Sequence, residues 1–198
     1  MFVTFEGLDG AGKTTQVKLL AEHLRSEGRE VVETREPGGT KVGEEIRALL
    51  LHGGEISPWA EAALFAAARA ELVSEVIQPG LERGADVVCD RYLDSSLAYQ
   101  GIARGLGVER VLALNLDAIR GTLPDVTFLL VVDPDEARRR SGPPGDRIER
   151  EGDAFLRQVD EAYRELASIF AGRIVTIDSS KAVDEVAKEV RDRLPGLS

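Results

Sequence analysis

Gly7-Leu8-Asp9-Gly10-Ala11-Gly12-Lys13-Thr14 carries glycines, a lysine and a hydroxyl at the spacing G-x-x-x-x-G-K-[ST]. Each residue type has a task. The glycines let the backbone curl so that successive amide hydrogens point inward and cradle an anion. A helix starting at Lys13 adds the partial positive charge of its N-terminus. The Lys13 ammonium can reach the terminal phosphates of a nucleotide, and the Thr14 hydroxyl is placed to bind Mg²⁺. The segment Gly7, Asp9, Gly10, Ala11, Gly12, Lys13, Thr14 and Thr15 is therefore the expected nucleotide-binding loop, and its chemistry is phosphoryl transfer or nucleotide hydrolysis.

Such a loop works only between a strand and a helix. Phe2-Val3-Thr4-Phe5 before it is apolar and β-prone, and Thr15–Leu24 after it has apolar residues at helical spacing. The alternation continues down the chain. Strands are expected at 2–6, 30–34, 86–90, 126–132 and 174–177, each short and mostly apolar, as parallel strands covered on both faces are. Helices are expected at 13–27, 41–51, 57–77, 94–103, 108–120, 135–141, 153–171 and 182–193. This pattern predicts an α/β three-layer fold in one domain. Ser57-Pro58 opens the third helix as a cap followed by proline, and Gly28 closes the first. Helix 57–77 is apolar nearly all round, so it is buried on more than one face, either in the fold or against another subunit. Ser141-Gly142-Pro143-Pro144-Gly145 interrupts the helical pattern and reads as a mobile loop or lid.

Composition narrows the class. The 198-residue chain has a net charge of −10, which argues against coating nucleic acid, so phosphates must meet local arginine and lysine clusters. The single cysteine, Cys89, sits in an apolar strand; it can form no disulfide within the chain and is expected in the core. Neither a signal peptide nor a membrane span is visible, and a cytoplasmic location is the expectation. No Asn-Lys-x-Asp guanine-reading motif occurs, which argues against a GTPase switch.

Four further segments stand beside the loop. They are Thr34-Arg35-Glu36-Pro37-Gly38-Gly39-Thr40 after the second strand, Leu64-Phe65-Ala66-Ala67-Ala68-Arg69 in the long helix, Val87-Val88-Cys89-Asp90-Arg91-Tyr92 at the end of the third strand, and Asp146-Arg147-Ile148-Glu149 after the Pro-Gly loop. On their own chemistry, Arg91 at a strand end can reach the ligand crevice of an α/β fold and suits bidentate phosphate contact. Asp90 reads as a Mg²⁺ ligand, direct or through water. Phe65 and Arg69, four apart, share a helix face.

Together with Phe5–Thr15 these segments closely resemble the thymidylate kinase family, from Phe2 to the last helix. The resemblance implies a P-loop kinase fold with a five-stranded parallel sheet flanked by helices, a lid at about 138–152, and a homodimer packed through helices that would include 57–77. It implies transfer of the ATP γ-phosphate to dTMP with Mg²⁺. Arg91 would bind the dTMP phosphate and Asp9 would face the acceptor sugar and that arginine. Glu36 and Pro37 would line the acceptor side, Phe65 would stack on thymine, and Arg69 and Ser96 would meet the base edge. Tyr99, with Gln100 beside it, would hold an aromatic ring against the sugar and disfavour ribose.

Some family members carry an arginine in the glycine loop where this chain has Gly10, and members without it use a lid arginine. Arg138, Arg139, Arg140, Arg147 and Arg150 are the candidates here; Arg147 is expected to be the closing cation and Arg140 to lie against adenine. An anionic acceptor phosphate needs no general base, so catalysis should be alignment and charge neutralisation. The rival readings are a deoxynucleoside kinase, which needs a carboxylate base such as Glu36, and a nucleotide-dependent binding switch.

Overall fold

The computed structural model describes residues 1–194. Five strands, β1 (Phe2–Glu6), β2 (Val31–Arg35), β3 (Asp86–Asp90), β4 (Val126–Val131) and β5 (Ile174–Asp178), form one sheet in the order β2-β3-β1-β4-β5. Every pairing is parallel; Val3 lies opposite Val88 on one side and Val126 on the other. Parallel strands need crossovers, and helices supply them. These are α1 (Lys13–Ser26), α2 (Lys41–His52), α3 (Pro58–Leu72), α4 (Gln78–Glu82), α5 (Leu93–Ser96), α6 (Val108–Ala118), α7 (Pro134–Ser141) and α8 (Asp153–Ile169), and α9 (Val183–Asp192) follows the last strand. Every residue of the central strand β1 is buried, so both of its faces are covered.

The core runs from Phe2 and Phe5 through Val87, Val88 and Phe128 to the inner faces of α1 and α8. The Phe2 ring meets Tyr92 edge-on at 5.0 Å between centroids. Cys89 is buried in this core. One polar cluster crosses it: Thr4 and Thr127 share a hydrogen bond of 2.8 Å, and Arg173 donates to both Asp94 oxygens.

The expected elements stand, with boundaries moved by about a residue. The Gly28 nitrogen donates to the Arg25 carbonyl at φ 81°, so that glycine closes α1. The Thr40 hydroxyl caps α2 by accepting from the Gly43 nitrogen at 2.9 Å. Ser57 precedes Pro58 at the start of α3 but makes no side-chain cap. The helical path does not stop at 77. It widens into π-helical turns over Val73–Ile77 and continues as α4, with Pro79 in the first turn. A proline lacks the amide a regular turn would use, and a wide turn absorbs that loss. A second π-helical stretch, Leu97–Ala103, follows α5. Helix α3 packs against α2, α6 and this stretch. Trp59, Ala60, Ala63 and Ala67 on it remain exposed, so its apolar girdle is only partly covered within one chain.

Among the described residues, no helix is long and apolar enough to cross a membrane.

Candidate active site

The sheet delivers its chemistry at one edge. The glycine loop leaves the C-terminal end of β1, the Arg35–Gly39 turn leaves β2, and Asp90-Arg91 ends β3, next to β1. Carboxyl ends of neighbouring parallel strands are where open α/β sheets bind ligands. They open there into one cavity of about 480 Å³.

One end of the cavity is the glycine loop, with Asp9, Gly10, Gly12, Lys13, Thr14 and Thr15 on its wall. The tight path requires its glycines. Gly7 sits at φ 133°, and a Cβ there would lie 2.4 Å from the Leu130 carbonyl oxygen. Gly7 and the buried Ala11 shape the loop from behind rather than line the cavity. Gly10 sits at φ 82°, and a Cβ there would lie 2.1 Å from the Ala137 carbonyl oxygen. Helix α7 therefore leaves no room for a side chain at this position.

The buried Lys13 ammonium donates to the Gly7 and Leu8 carbonyls at 3.1 and 2.8 Å. Burial lowers its pKa and the Arg91 charge adds to that, while Asp9, Asp90 and Glu6 pull it back up. The Thr14 hydroxyl donates to Asp90 Oδ2 at 2.5 Å. A hydroxyl and a carboxylate thus converge from two elements beside the loop. No cluster of three or more His, Cys, Asp or Glu side chains suited to a metal occurs among the described residues. A cation at Thr14 and Asp90 would complete its shell with phosphate oxygens and water, which is how Mg²⁺ is held in nucleotide sites, so the donor set fits Mg²⁺.

Further along lies Arg91, in the left-handed region at φ 68°. Its Nη2 donates to Asp9 Oδ1 at 2.7 Å; its Nη1 donates to Ser95 Oγ and Tyr163 Oη at 3.1 and 3.0 Å. Burial works against an ionised Asp9, but Arg91 and Lys13 outweigh it and hold the carboxyl well below the usual range. Behind Arg91 the buried Glu6 accepts from the Tyr92 and Ser95 nitrogens at 2.8 and 3.1 Å and from Ser95 Oγ and Tyr163 Oη at 2.6 and 2.9 Å. Burial, reinforced by Asp94, raises the Glu6 pKa. The Arg91 guanidinium also lies 5.5 Å from the centre of the Tyr99 ring.

Glu36, Pro37, Phe65, Ser96, Tyr99 and Gln100 line the remainder of the cavity. The Glu36–Pro37 peptide is cis. Arg69 does not line it. This arginine is buried, and its nitrogens are occupied by protein. Nε donates to Glu36 at 2.8 Å, Nη1 to Ser96 Oγ at 3.0 Å and to Asn115, and Nη2 to the Tyr92 carbonyl at 3.0 Å, with Glu36 Oε2 also 2.6 Å away. The expected direct contact with a base edge would require one of these bonds to be given up. Burial pushes the Glu36 carboxyl up to about 7 despite Arg69.

The lid arginines divide. Arg140 faces the cavity, donating to Glu136 at 2.9 Å and to the Ser179 carbonyl at 3.1 Å. Arg147, expected as the closing cation, points elsewhere. Its Nη2 donates to Glu61 Oε2 at 2.5 Å, its Nε to the Leu50 carbonyl at 2.9 Å, and its backbone nitrogen to the Leu51 carbonyl at 2.9 Å. A buried carboxylate and two helix-end carbonyls hold it away from the glycine loop.

Arg35, part of the motif after the second strand but given no role of its own, also lines the cavity, as does Arg47, which lies in no motif. Glu6, Ser95, Tyr163 and Glu61 were missed as well. Glu6 adjoins the first loop glycine, a signal in hindsight. Tyr163 and Glu61 sit in ordinary helical pattern with no local mark of function.

Comparison with known proteins agrees with this geometry. The sequence model of the family described as "Thymidylate kinase" matches residues 5–190. A protein from Pelotomaculum thermopropionicum named "Thymidylate kinase" is 50% identical, over 96% of this chain and 94% of its own. Proteins of the same name from Bifidobacterium longum (strain NCC 2705) and Thermoanaerobacter sp. (strain X514) are 49% and 47% identical, over 100% and 96% of this chain and 98% and 95% of their own. With a glycine loop, a strand-end arginine and an aromatic-lined pocket sharing one cavity, and with relatives this near over nearly the full length, the chain belongs to the thymidylate kinase family.

Proposed function

We infer that the chain is an ATP:dTMP phosphotransferase, making dTDP and ADP with Mg²⁺. One observation carries the reading: the glycine loop with Lys13 and the Arg91–Asp9 pair open into the same cavity, so a donor and an acceptor phosphate can meet in it.

In this reading Lys13 exchanges the Gly7 and Leu8 carbonyls for oxygens of the donor phosphates. Thr14 and Asp90 would hold Mg²⁺, which would supply positive charge against that of the phosphates. Arg91 orients the acceptor phosphate. That phosphate is largely dianionic at neutral pH, its second pKa being about 6, so no side chain need take a proton from it. The protein contributes alignment and electrostatics. Asp9 steadies Arg91 and faces the acceptor sugar, and Glu36 and Pro37 bound the same side. Phe65 stacks on the base, Ser96 and Gln100 meet its edge, and Tyr99 closes the space a ribose 2′-hydroxyl would need. Arg69 acts through Glu36 and Ser96, which it holds in place. Arg140 borders the adenine end, and residues of about 138–152 form the lid of a single kinase domain. The exposed Trp59, Ala60, Ala63 and Ala67 stripe on α3 supports a homodimer through that helix, and its nucleotide substrates support a cytoplasmic location.

The test is ADP formation from Mg²⁺-ATP with dTMP, dUMP, dCMP, AMP or thymidine added singly. Strong stimulation by dTMP with dTDP as product is expected. Stimulation by thymidine alone would mean a nucleoside kinase, and stimulation by none would mean a nucleotide switch; either refutes the reading.

A further inference from the structure

Gln100 lines the acceptor end of the cavity and is otherwise buried. Its Nε2 lies 2.9 Å from Glu61 Oε1 on α3. A side-chain amide fits a slot either way round, and its neighbours decide which end faces where. Here the neighbour is a carboxylate between two guanidiniums. Glu61 is 1% exposed, takes 2.5 Å from Arg147 Nη2, and has Arg104 Nε and Nη2 both at 3.3 Å. Burial alone would favour the neutral acid, but the bonds from Gln100, Arg147 and Arg104 outweigh it and keep the carboxyl ionised.

An ionised carboxylate can only accept. Gln100 must therefore turn its NH₂ to Glu61 and leave its carbonyl oxygen as the end that is free. Among the described residues no donor bonds to Gln100 Oε1, and that atom is not among the buried polar atoms left without a partner. It is thus open toward the cavity.

We propose that Glu61, a residue outside the cavity, is a specificity-determining positioning residue. It fixes the polarity of the Gln100 amide so that the acceptor base meets a hydrogen-bond acceptor. That arrangement takes a pyrimidine carrying a hydrogen on N3, thymine or uracil, and rejects cytosine, whose N3 is a lone pair facing another. The inference rests on the reading of this cavity as the dTMP site. A site built around one fixed polar group discriminates far better than one of matched shape alone.

The test measures equilibrium binding by calorimetry, together with kcat/KM, for dTMP, dUMP and dCMP on the wild type and on Glu61→Gln. A neutral amide at 61 can offer Gln100 either a donor or an acceptor, so Gln100 can turn over. The dTMP-to-dCMP affinity ratio should then fall by at least about tenfold, with dCMP gaining or holding while dTMP loses. A loss shared equally by all three nucleotides would reduce Glu61 to a structural residue and overturn the proposal. If Glu61→Gln does not fold because Arg147 has lost its partner, Glu61→Gln with Arg147→Gln removes both charges while Arg104 keeps Glu151 at 2.6 Å, and the same ratio is read. A wild type that binds no dTMP would instead sink the kinase reading, and this inference with it.

Discussion

Replacing Arg91 by alanine and, separately, by glycine distinguishes what its guanidinium does for the acceptor from what its backbone costs the fold. At φ 68° a residue with a Cβ sits in a region that costs about 1–2 kcal/mol, a cost glycine does not bear. The guanidinium offsets this with bonds to Asp9, Ser95 and Tyr163 at 2.7, 3.1 and 3.0 Å. Without it, Ser95 and Tyr163 keep Glu6 as a partner, and the 42% exposed Asp9 side chain can turn to water. The bonds lost by truncation are therefore worth on the order of 1–2 kcal/mol, not the cost of several orphaned groups. Glycine should recover about 1 kcal/mol through the backbone, or about 2–4 °C in Tm for a domain of this size. Both variants should lose at least about 100-fold in kcat/KM for dTMP, the usual cost of one aimed electrostatic contact. Thermal melts and initial rates of ADP formation read the two effects independently. Equal melting of the two variants would refute the strain argument. Retention of more than a tenth of the wild-type rate by either would remove Arg91 from the acceptor phosphate.

Gly10→Ala should push α7 off the glycine loop, because its Cβ would fall 2.1 Å from the Ala137 oxygen and its φ is 82°. A loss of at least about 1–2 kcal/mol in stability from the backbone alone and a KM for ATP raised about tenfold or more are expected; an unchanged KM would refute the contact. Glu36→Gln should alter stability against pH. The folded wild type keeps the Glu36 proton to about 7, while an unfolded glutamate loses it near 4.5. Its contribution is therefore full below 4.5 and is lost as pH rises through 7. The unfolding free energy of the wild type, from denaturant titrations, should fall relative to Glu36→Gln between pH 5 and 7, with a slope of at most about 1.4 kcal/mol per pH unit; parallel curves would refute it.

The parts of this molecule that were readable in advance are those in which local backbone geometry demands particular residues. The glycine loop is one, since Gly7 and Gly10 stand where a Cβ would strike a carbonyl. The central strands are another, because burial on both faces leaves them mostly apolar. Helix 57–77 was readable as a helix but not in its extent, because Pro79 looks like a stop until a π-helical turn accommodates it. Glu6 and Tyr163 escaped notice because their value lies in meeting across 157 positions of sequence.

Arginines were the hardest to assign, and the structure shows why. Their type announces a phosphate ligand, but whether the guanidinium is available depends on counter-charges that sequence spacing does not locate. Arg69 and Glu36 are 33 positions apart, and Arg147 and Glu61 are 86 apart. A count of donors separates the cases, since each guanidinium has five. Arg69 spends its donors on Glu36, Ser96, Asn115 and the Tyr92 carbonyl, and a phosphate would have to displace one of them. Arg91 spends both Nη1 hydrogens on Ser95 and Tyr163 and one Nη2 hydrogen on Asp9. Its Nε and its second Nη2 hydrogen have no protein hydrogen-bond partner among the described residues. The three spent donors fix the plane of the group and the two unspent ones are left for a ligand, which is what a bidentate phosphate contact requires.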